Sequence, residues 1–427
     1  MRLWKLITVL CFAVALTVLP LMTACGGDDD EKTPTAGPTE AGQPTTEPPE
    51  EVTIKIGNLT DKTGPASTAM QVMDMALKDL ARYYNEQNLI PNVKLEIIEY
   101  DTQYEPSRDI PGYEWVMEKG ADFVFTGLPT TPLTIKSSVN QDEVVLFSMS
   151  GLEDLGDPPG WVFVLSAAFS DVGESMLNWI AENDWDYKSN GPAKLGMMSW
   201  ASPAFYEVLE GFERYVEAHP EQFEWEGKFL EQAGTFIWDV PAAELKNADY
   251  VFIPAAGIIP GVKAYSAAGG EGTLLTTEIH IAFLGMLQDA GLVEAYDETL
   301  CFIACRWWNE DAALVNLAKQ LLVDYHGQSE LEAQMERGGV YMSSLHQIDG
   351  VFKAIKQTVE AVGAKNFSNQ TLYDTLIGFT VNPGEAYKPW GWTETDRFGH
   401  DYFRVYEYDA DQSDMVSADP YWHPYLQ

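Results

Sequence analysis

Basic residues are scarce in this chain. Lys and Arg number 26 against 65 Asp and Glu, for a formal net charge of −39. Nucleic acids and anionic lipid surfaces are held by clustered cations, so this balance argues against both as partners. Cysteine is scarcer still. Cys11 and Cys25 fall in the first 25 residues, and only Cys301 and Cys305 lie beyond them. No Cys/His spacing matches a zinc site. The run around CFIAC reads as a strand, which holds its two sulfurs too far apart to bond. Two buried thiols are expected there. His280, His326 and His346 are scattered, and no H-E-x-x-H run or carboxylate cluster offers a metal site. No metal and no cofactor is expected. Past residue 25 no apolar run reaches the roughly 20 residues that a membrane-spanning helix needs.

What the chain does have begins at its amino terminus. Arg2 and Lys5 precede an apolar run over 6–19, followed by Met22-Thr23-Ala24-Cys25. This is the pattern of a secretion signal, expected over residues 1–24. The small residues before Cys25 resemble the lipobox of bacterial lipoproteins, in which the cysteine is lipidated and becomes the new amino terminus. Met22 stands where that family has Leu. Residues 25–51 are acidic and rich in Pro and Thr, with almost nothing apolar. Such a segment forms no core and serves as a tether. The expected localisation is extracytoplasmic, membrane-anchored through Cys25.

From residue 52 the chain alternates strand and helix patterns. VTIKIG has the period-2 alternation of a strand. A polar loop with Gly64-Pro65 follows, then Met70, Met73, Ala76, Leu77, Leu80 and Ala81 at helical spacing. A loop between a strand and a helix is expected to offer unpaired N–H groups to a ligand. Strand patterns recur at 93–100, 122–127, 144–149 and 161–166, with a helix at 170–183. A second series places strands at 193–199, 229–232, 250–254, 272–277 and 299–307. Helices are read at 204–218, 311–325, 343–362 and 369–376. The aromatic, Gly-rich end, 379–427, reads as hairpin and tail. Repeated βα units predict parallel sheets with covered faces, and two series predict two lobes.

The order of these motifs resembles the extracytoplasmic solute-binding proteins of ABC importers, of the branched-chain amino-acid (Leu-binding) type, over 52–411. Ile54-Lys55-Ile56-Gly57, Thr63-Gly64-Pro65 and Tyr84-Asn85 are similar to that family's opening strand, loop and helix. Tyr100-Asp101-Thr102 with Glu105-Pro106, the stretch 121–127, and the V-x-x-x-S from Val144 to Ser148 follow in its order. Asp396-Arg397-Phe398-Gly399, with Tyr402 and Tyr406, resembles its terminal D-x-x-G hairpin. The resemblance implies an α/β fold of two doubly wound parallel-sheet lobes joined by three crossover strands. Applied here, lobe one is 52–169 with 308–379, and lobe two is 170–307 with 380–427.

The resemblance further implies a monomeric receptor that clamps a small polar solute, an amino acid or related amide or acid, and delivers it to an ABC permease. Thr130, Thr131, Ser148 and Ser150 sit at strand ends of lobe one, matching positions that hold a ligand's carboxylate and amine. Glu278 follows a strand of lobe two, where the family has an acid for the ammonium. Trp200, Phe205 and Tyr206 stand where the family has a Y-G pair, and are expected to wall the cleft. Small residues near Ala69 replace an aromatic of the family, and Met70 replaces a Gly. The methionines at 70, 73 and 75 are expected to pack in the core. The alternative is a secreted hydrolase using Ser148 or Ser150. It lacks the first Gly of G-x-S-x-G and any convincing His partner. No catalytic residue is therefore assigned.

Overall fold

In the computed structural model, residues 51–426 are described. The signal segment, Cys25 and the tether up to residue 50 lie outside them. The first series folds as expected into one parallel sheet. Its strands are β1 (Val52–Thr60), β2 (Val93–Asp101), β3 (Phe123–Thr126), β4 (Leu146–Ser148) and β5 (Val162–Val164), in the order β2-β1-β3-β4-β5. The three short inner strands, FVFT, LFS and VFV, are buried along their whole length, as a sheet covered on both faces requires. The Ser67–Glu86 and Val340–Val362 helices cover one face, with Ile56, Phe123, Phe147, Leu80 and Phe352 in one cluster. The Asp109–Glu118 and Thr131–Asp142 helices cover the other through Val116, Ile135 and Val139. Gly57 permits this second layer to come close, because a Cβ there would lie 2.9 Å from the Val116 side chain.

The second series repeats the plan. Strands β6 (Ala193–Trp200), β7 (Phe223–Glu231), β8 (Tyr250–Phe252), β9 (Thr273–Thr277) and β10 (Leu300–Ile303) run parallel in the order β7-β6-β8-β9-β10. The connectivity is that of the first sheet. After a short hairpin of β11 (Thr380–Val381) and β12 (Trp390–Gly391), strand β13 (Tyr402–Asp409) joins β10 antiparallel. β14 (Asp414–Ser417) and β15 (His423–Pro424) pair with β13. Strand β7 begins six residues before the expected 229, because its first half, FEWE, alternates at the sheet edge instead of forming an apolar run. Strand β10 ends at Ile303, short of 307. The Gln328–Arg337 helix, polar along most of its length, was not expected.

The chain passes between the sheets three times, after β5, after β10 and before β13. The β11–β12 hairpin, placed in lobe two from the sequence, packs on the first sheet. Trp392 Nε1 donates to the Val164 carbonyl at 2.7 Å, and its ring meets Phe147 and Phe163. Phe398 bridges in parallel to Val164, covering the edge that β5 leaves open. Buried Arg397 donates to the Gly160 carbonyl and the Tyr373 hydroxyl, with its guanidinium over Phe163. The D-x-x-G motif is thus a sheet-edge cover, and aromatic burial decides its side. Cys301 and Cys305 are free and buried, as expected.

Beside the second sheet, the Phe169–Asn183 and Pro203–Ala218 helices cross backbone to backbone. A Cβ at Gly211 would lie 2.0 Å from the Ser170 carbonyl oxygen, and one at Gly173 would lie 2.4 Å from that of Val208. Neither carbonyl can swing away without breaking its helix. Gly211→Ala is therefore expected to lose about 1–3 kcal/mol through overpacking, read as a lowered melting temperature by circular dichroism.

Candidate functional site

A sheet of order 2-1-3-4-5 reverses direction beside its first strand, and the crevice outside the strand ends at that switch point receives ligands. Here the plan occurs twice, with switch points between β1 and β3 and between β6 and β8. The strand-end loops of the two sheets also touch. Glu207, on the Pro203–Ala218 helix after β6, accepts the backbone N–H of Glu153, after β4, with both oxygens at 3.1 Å. Ala204 shares an apolar cluster with Leu152 and Leu155. Burial, with Glu153 and Asp154 alongside, pushes the Glu207 carboxyl up to about 8.

On the first sheet, the loop after β1 does not present free N–H groups as expected. Buried Asp61 collects them. It accepts from Thr63 N at 3.1 Å, Gly64 N at 2.5 Å and Ala66 N at 2.7 Å. A carboxylate one residue past the strand outcompetes any ligand for those donors. Behind it, Asn58 and Thr60 donate to Asp74 and tie the strand to the Ser67–Glu86 helix. Thr131 donates its hydroxyl to Asp109 at 2.9 Å and is buried, so it holds the loop and does not face a ligand. Thr130 is half-buried and hydrogen-bonded to Tyr104. Ser148 Oγ donates to the Ser150 carbonyl and accepts the Ser150 N–H, an internal turn. Ser150 Oγ is buried with no partner.

Three thioethers converge on Gly127 at the end of β3. A Cβ there would lie 2.7 Å from Met73 Sδ, 3.5 Å from Met149 Sδ and 3.5 Å from Met70 Cε. Met70 is buried, but Met73 and Met149 are only half-buried. Both pack against the core cluster, as expected for Met73, and their half-exposed sulfurs lie beside the end of β3 at the switch point. Residue type alone does not separate the two environments.

On the second sheet, Trp200 ends β6 half-buried. Its Nε1 donates to the Thr235 carbonyl at 2.7 Å, and its ring meets Phe236 edge-on at 5.4 Å. Phe205 is buried against Phe252 and His280, so it belongs to the core and does not wall the cleft. Tyr206 is 54% exposed, one helix position further round. His280 Nδ1 accepts from Thr277 N at 3.0 Å, which leaves Nε2 to donate to the Ile253 carbonyl at 2.9 Å. Burial pulls this neutral imidazole down to about 4, and it clamps the ends of β8 and β9 together.

Glu278, the next residue after β9, reaches the first lobe's Val340–Val362 helix. Gln347 Nε2 donates to its Oε1 at 3.1 Å, and Ser343 is its second partner. Burial raises its carboxyl to about 7, and no cation stands against that. Gln347 and Ser343 were not anticipated. The available signal was a polar run, Ser343-Ser344 then His346-Gln347, in the first half of that helix, which is buried throughout. Among the described residues, neither Ser148 nor Ser150 is hydrogen-bonded to an imidazole.

A family model described as "Periplasmic binding protein" matches residues 53–413. Among solved structures, a branched-chain amino-acid ABC transporter protein from Thermus thermophilus, with bound valine, superposes with a TM-score of 0.74. It shares 17% identity and covers 88% of this chain and 97% of its own. A solute-binding protein of an R. palustris ABC transporter, in complex with 4-hydroxybenzoate, gives 0.70 at 15% identity, covering 87% and 97%. A fatty acid ABC transporter substrate-binding protein from Thermomonospora curvata gives 0.69 at 13%, covering 86% and 92%. At these identities the likeness is one of fold. No curated protein sequence matches.

The raised Glu278 carboxyl has a signed consequence. Its pKa in the fold lies above its ordinary value of 4.5, so the native state holds a proton that the unfolded chain releases. Stability therefore falls as pH rises from 4.5 to about 7, and the loss is complete above it. Glu278→Gln removes this dependence. In the ligand-free protein the variant is expected to gain melting temperature over wild type at pH 8 and to lose that gain at pH 4.

Proposed function

Because the chain belongs to the periplasmic binding protein family, we propose that it takes one small solute between two lobes and delivers it to an ABC permease in the membrane. The observation that carries this reading is the pair of switch points, one per sheet, with strand-end loops in contact across them. Lobe one comprises 52–169 and 308–379, with 380–399 added by their packing on β5. Lobe two comprises 170–307 and the remainder. The receptor acts as an extracytoplasmic monomer, anchored through a lipid on Cys25 and held off the membrane by the 25–51 tether. Hinge bending at the three crossings closes the lobes over the solute.

Thr130, Ser150, Trp200, Tyr206 and Glu278 touch the solute, and Met73 and Met149 floor the site. Thr131, Ser148 and Phe205 hold these groups in place. The related structures name valine, 4-hydroxybenzoate and fatty acids, which supports a small solute with an apolar part. The protein binds and does not turn its solute over, which the absence of an imidazole partner at either serine among the described residues supports.

Thermal-shift screening of amino acids, amides and aromatic acids tests the reading. A native-state ligand at a hundred times its Kd adds about 2.7 kcal/mol and raises the melting temperature. Turnover of a model ester or amide, lost in Ser148→Ala or Ser150→Ala, would overturn it in favour of a hydrolase.

A further inference from the structure

The cleft is rich in acceptors and poor in donors. The loops that follow β3, β4, β6, β8 and β9, at 127–131, 149–153, 201–204, 253–258 and 278–283, contain no Lys or Arg, while those after β2 and β10 carry Arg108, over the Tyr100 ring, and Arg306, paired with Glu310. Lys62, in the loop after β1, is turned to Glu99 at 2.8 Å. His280 is neutral, and both its nitrogens are engaged. Most of the donors expected for a carboxylate are already spent, and of the four hydroxyls only Ser150 Oγ has no partner. Thr131 gives its hydroxyl to Asp109, Ser148 to the Ser150 carbonyl, and the first loop its N–H groups to Asp61. Against this stands Glu278, a carboxylate whose partners are an amide and a hydroxyl but no cation. The apolar surfaces are of one kind. Met73 and Met149 offer polarizable sulfur beside Gly127, and Trp200, Phe236 and Tyr206 offer ring faces from the other lobe.

We propose that the solute is an apolar amine without a carboxylate, its ammonium set against Glu278 and its apolar body, best an aromatic ring, on the thioether floor of Met73 and Met149. The proposal rests on the solute-receptor reading above and narrows it. An ammonium supplies the charge that Glu278 lacks, and charge-assisted hydrogen bonds are the strong ones in such a setting. Trp200 and Tyr206 favour the same cation through their ring faces. Sulfur–aromatic contact favours a ring on the floor. A carboxylate on the same solute would find few free donors and would face a strongly acidic protein.

Three matched probes separate the possibilities: phenethylamine, phenylalanine and 3-phenylpropionate, which share one body and carry an ammonium, both charges, or a carboxylate. Calorimetry on the purified full-length chain is expected to show phenethylamine tighter than phenylalanine by about tenfold or more, with 3-phenylpropionate weakest. Glu278→Gln is expected to abolish that preference while circular dichroism stays native. Met73→Gln is expected to weaken all probes that bind. Equal or tighter binding of phenylalanine or 3-phenylpropionate overturns the amine assignment and leaves the receptor standing. No binding of any of the three also overturns it. A different solute identified by mass spectrometry on the purified protein would then uphold the receptor alone.

Discussion

Both sheets are covered by helices on both faces, and this leaves the protein only its strand ends for recognition. Backbone hydrogen bonds saturate the interior of each sheet, and apolar side chains fill the layers above and below. The carboxyl ends are different. There the chain must leave the ladder, turn and enter a helix, so polar groups are exposed and side chains of several strands converge. At a switch point neighbouring connections go to opposite faces, and the resulting crevice is open. The structure has two such crevices, and strand-end loops of the two sheets meet through Glu207 and the Glu153 N–H.

The acidic composition acts inside the molecule as well as on its surface. Asp61, Asp74, Asp79 and Asp109 are buried, and each serves as an internal acceptor. Asp61 organises a loop, and Asp74 ties β1 to its helix. Asp79 receives His326 and Tyr341 and joins the Ser67–Glu86 helix to the later ones. Burial raises the carboxyls of Asp74, Asp79 and Asp109, so these anchors cost desolvation. The gain is geometric: a carboxylate satisfies several donors at once, where an unmade buried bond would cost about 1–3 kcal/mol. One consequence reaches the cleft, because donors consumed in building the scaffold are no longer available for a ligand.

The alternation of βα units was legible because buried parallel strands are continuous apolar runs, as in FVFT and VFV. The edge strand β7 was half missed, since only its end lacks the polar alternation that water permits. The packing of the 390–399 stretch on β5 was not legible, because a hairpin of Trp and Gly carries no mark of which sheet it covers. Among site residues, Glu278 and Trp200 stand at strand ends as their positions implied. Thr131 and Phe205 occupy equivalent sequence positions but turn inward, and that is decided by Asp109, Phe252 and His280, which lie far away in sequence. Met73 is the converse case. Its helical spacing is that of a core residue and it packs against the core, but the glycine just past β3 also lets its sulfur come close to the strand end.

The crossings differ in how the chain is tied on either side of them. On the third, Gly391 N donates to the Gly399 carbonyl, and Gly399 N to that of Ser166, so the chain is fastened to the first sheet through residue 399. A Cβ at Gly399 would lie 2.9 Å from the Val164 carbonyl oxygen, which explains a glycine at this point. Tyr402 already pairs with Pro424, and Arg404 with Ile303, so the second sheet holds the chain from residue 402. Between these two ties lie His400 and Asp401, and the Asp401 carbonyl accepts the Tyr425 N–H at 2.9 Å. On the second crossing the ladder ends at Ile303, and Trp308 Nε1 is bonded to the Gly338 carbonyl on the far side. The His400 ring stacks on Trp390 at 4.5 Å and on His346 at 5.2 Å, and burial lowers it to about 3. Flat neutral rings can slide over one another while keeping contact. Here they join the crossing to the Trp390 strand and to the Val340–Val362 helix through uncharged ring faces instead of ion pairs.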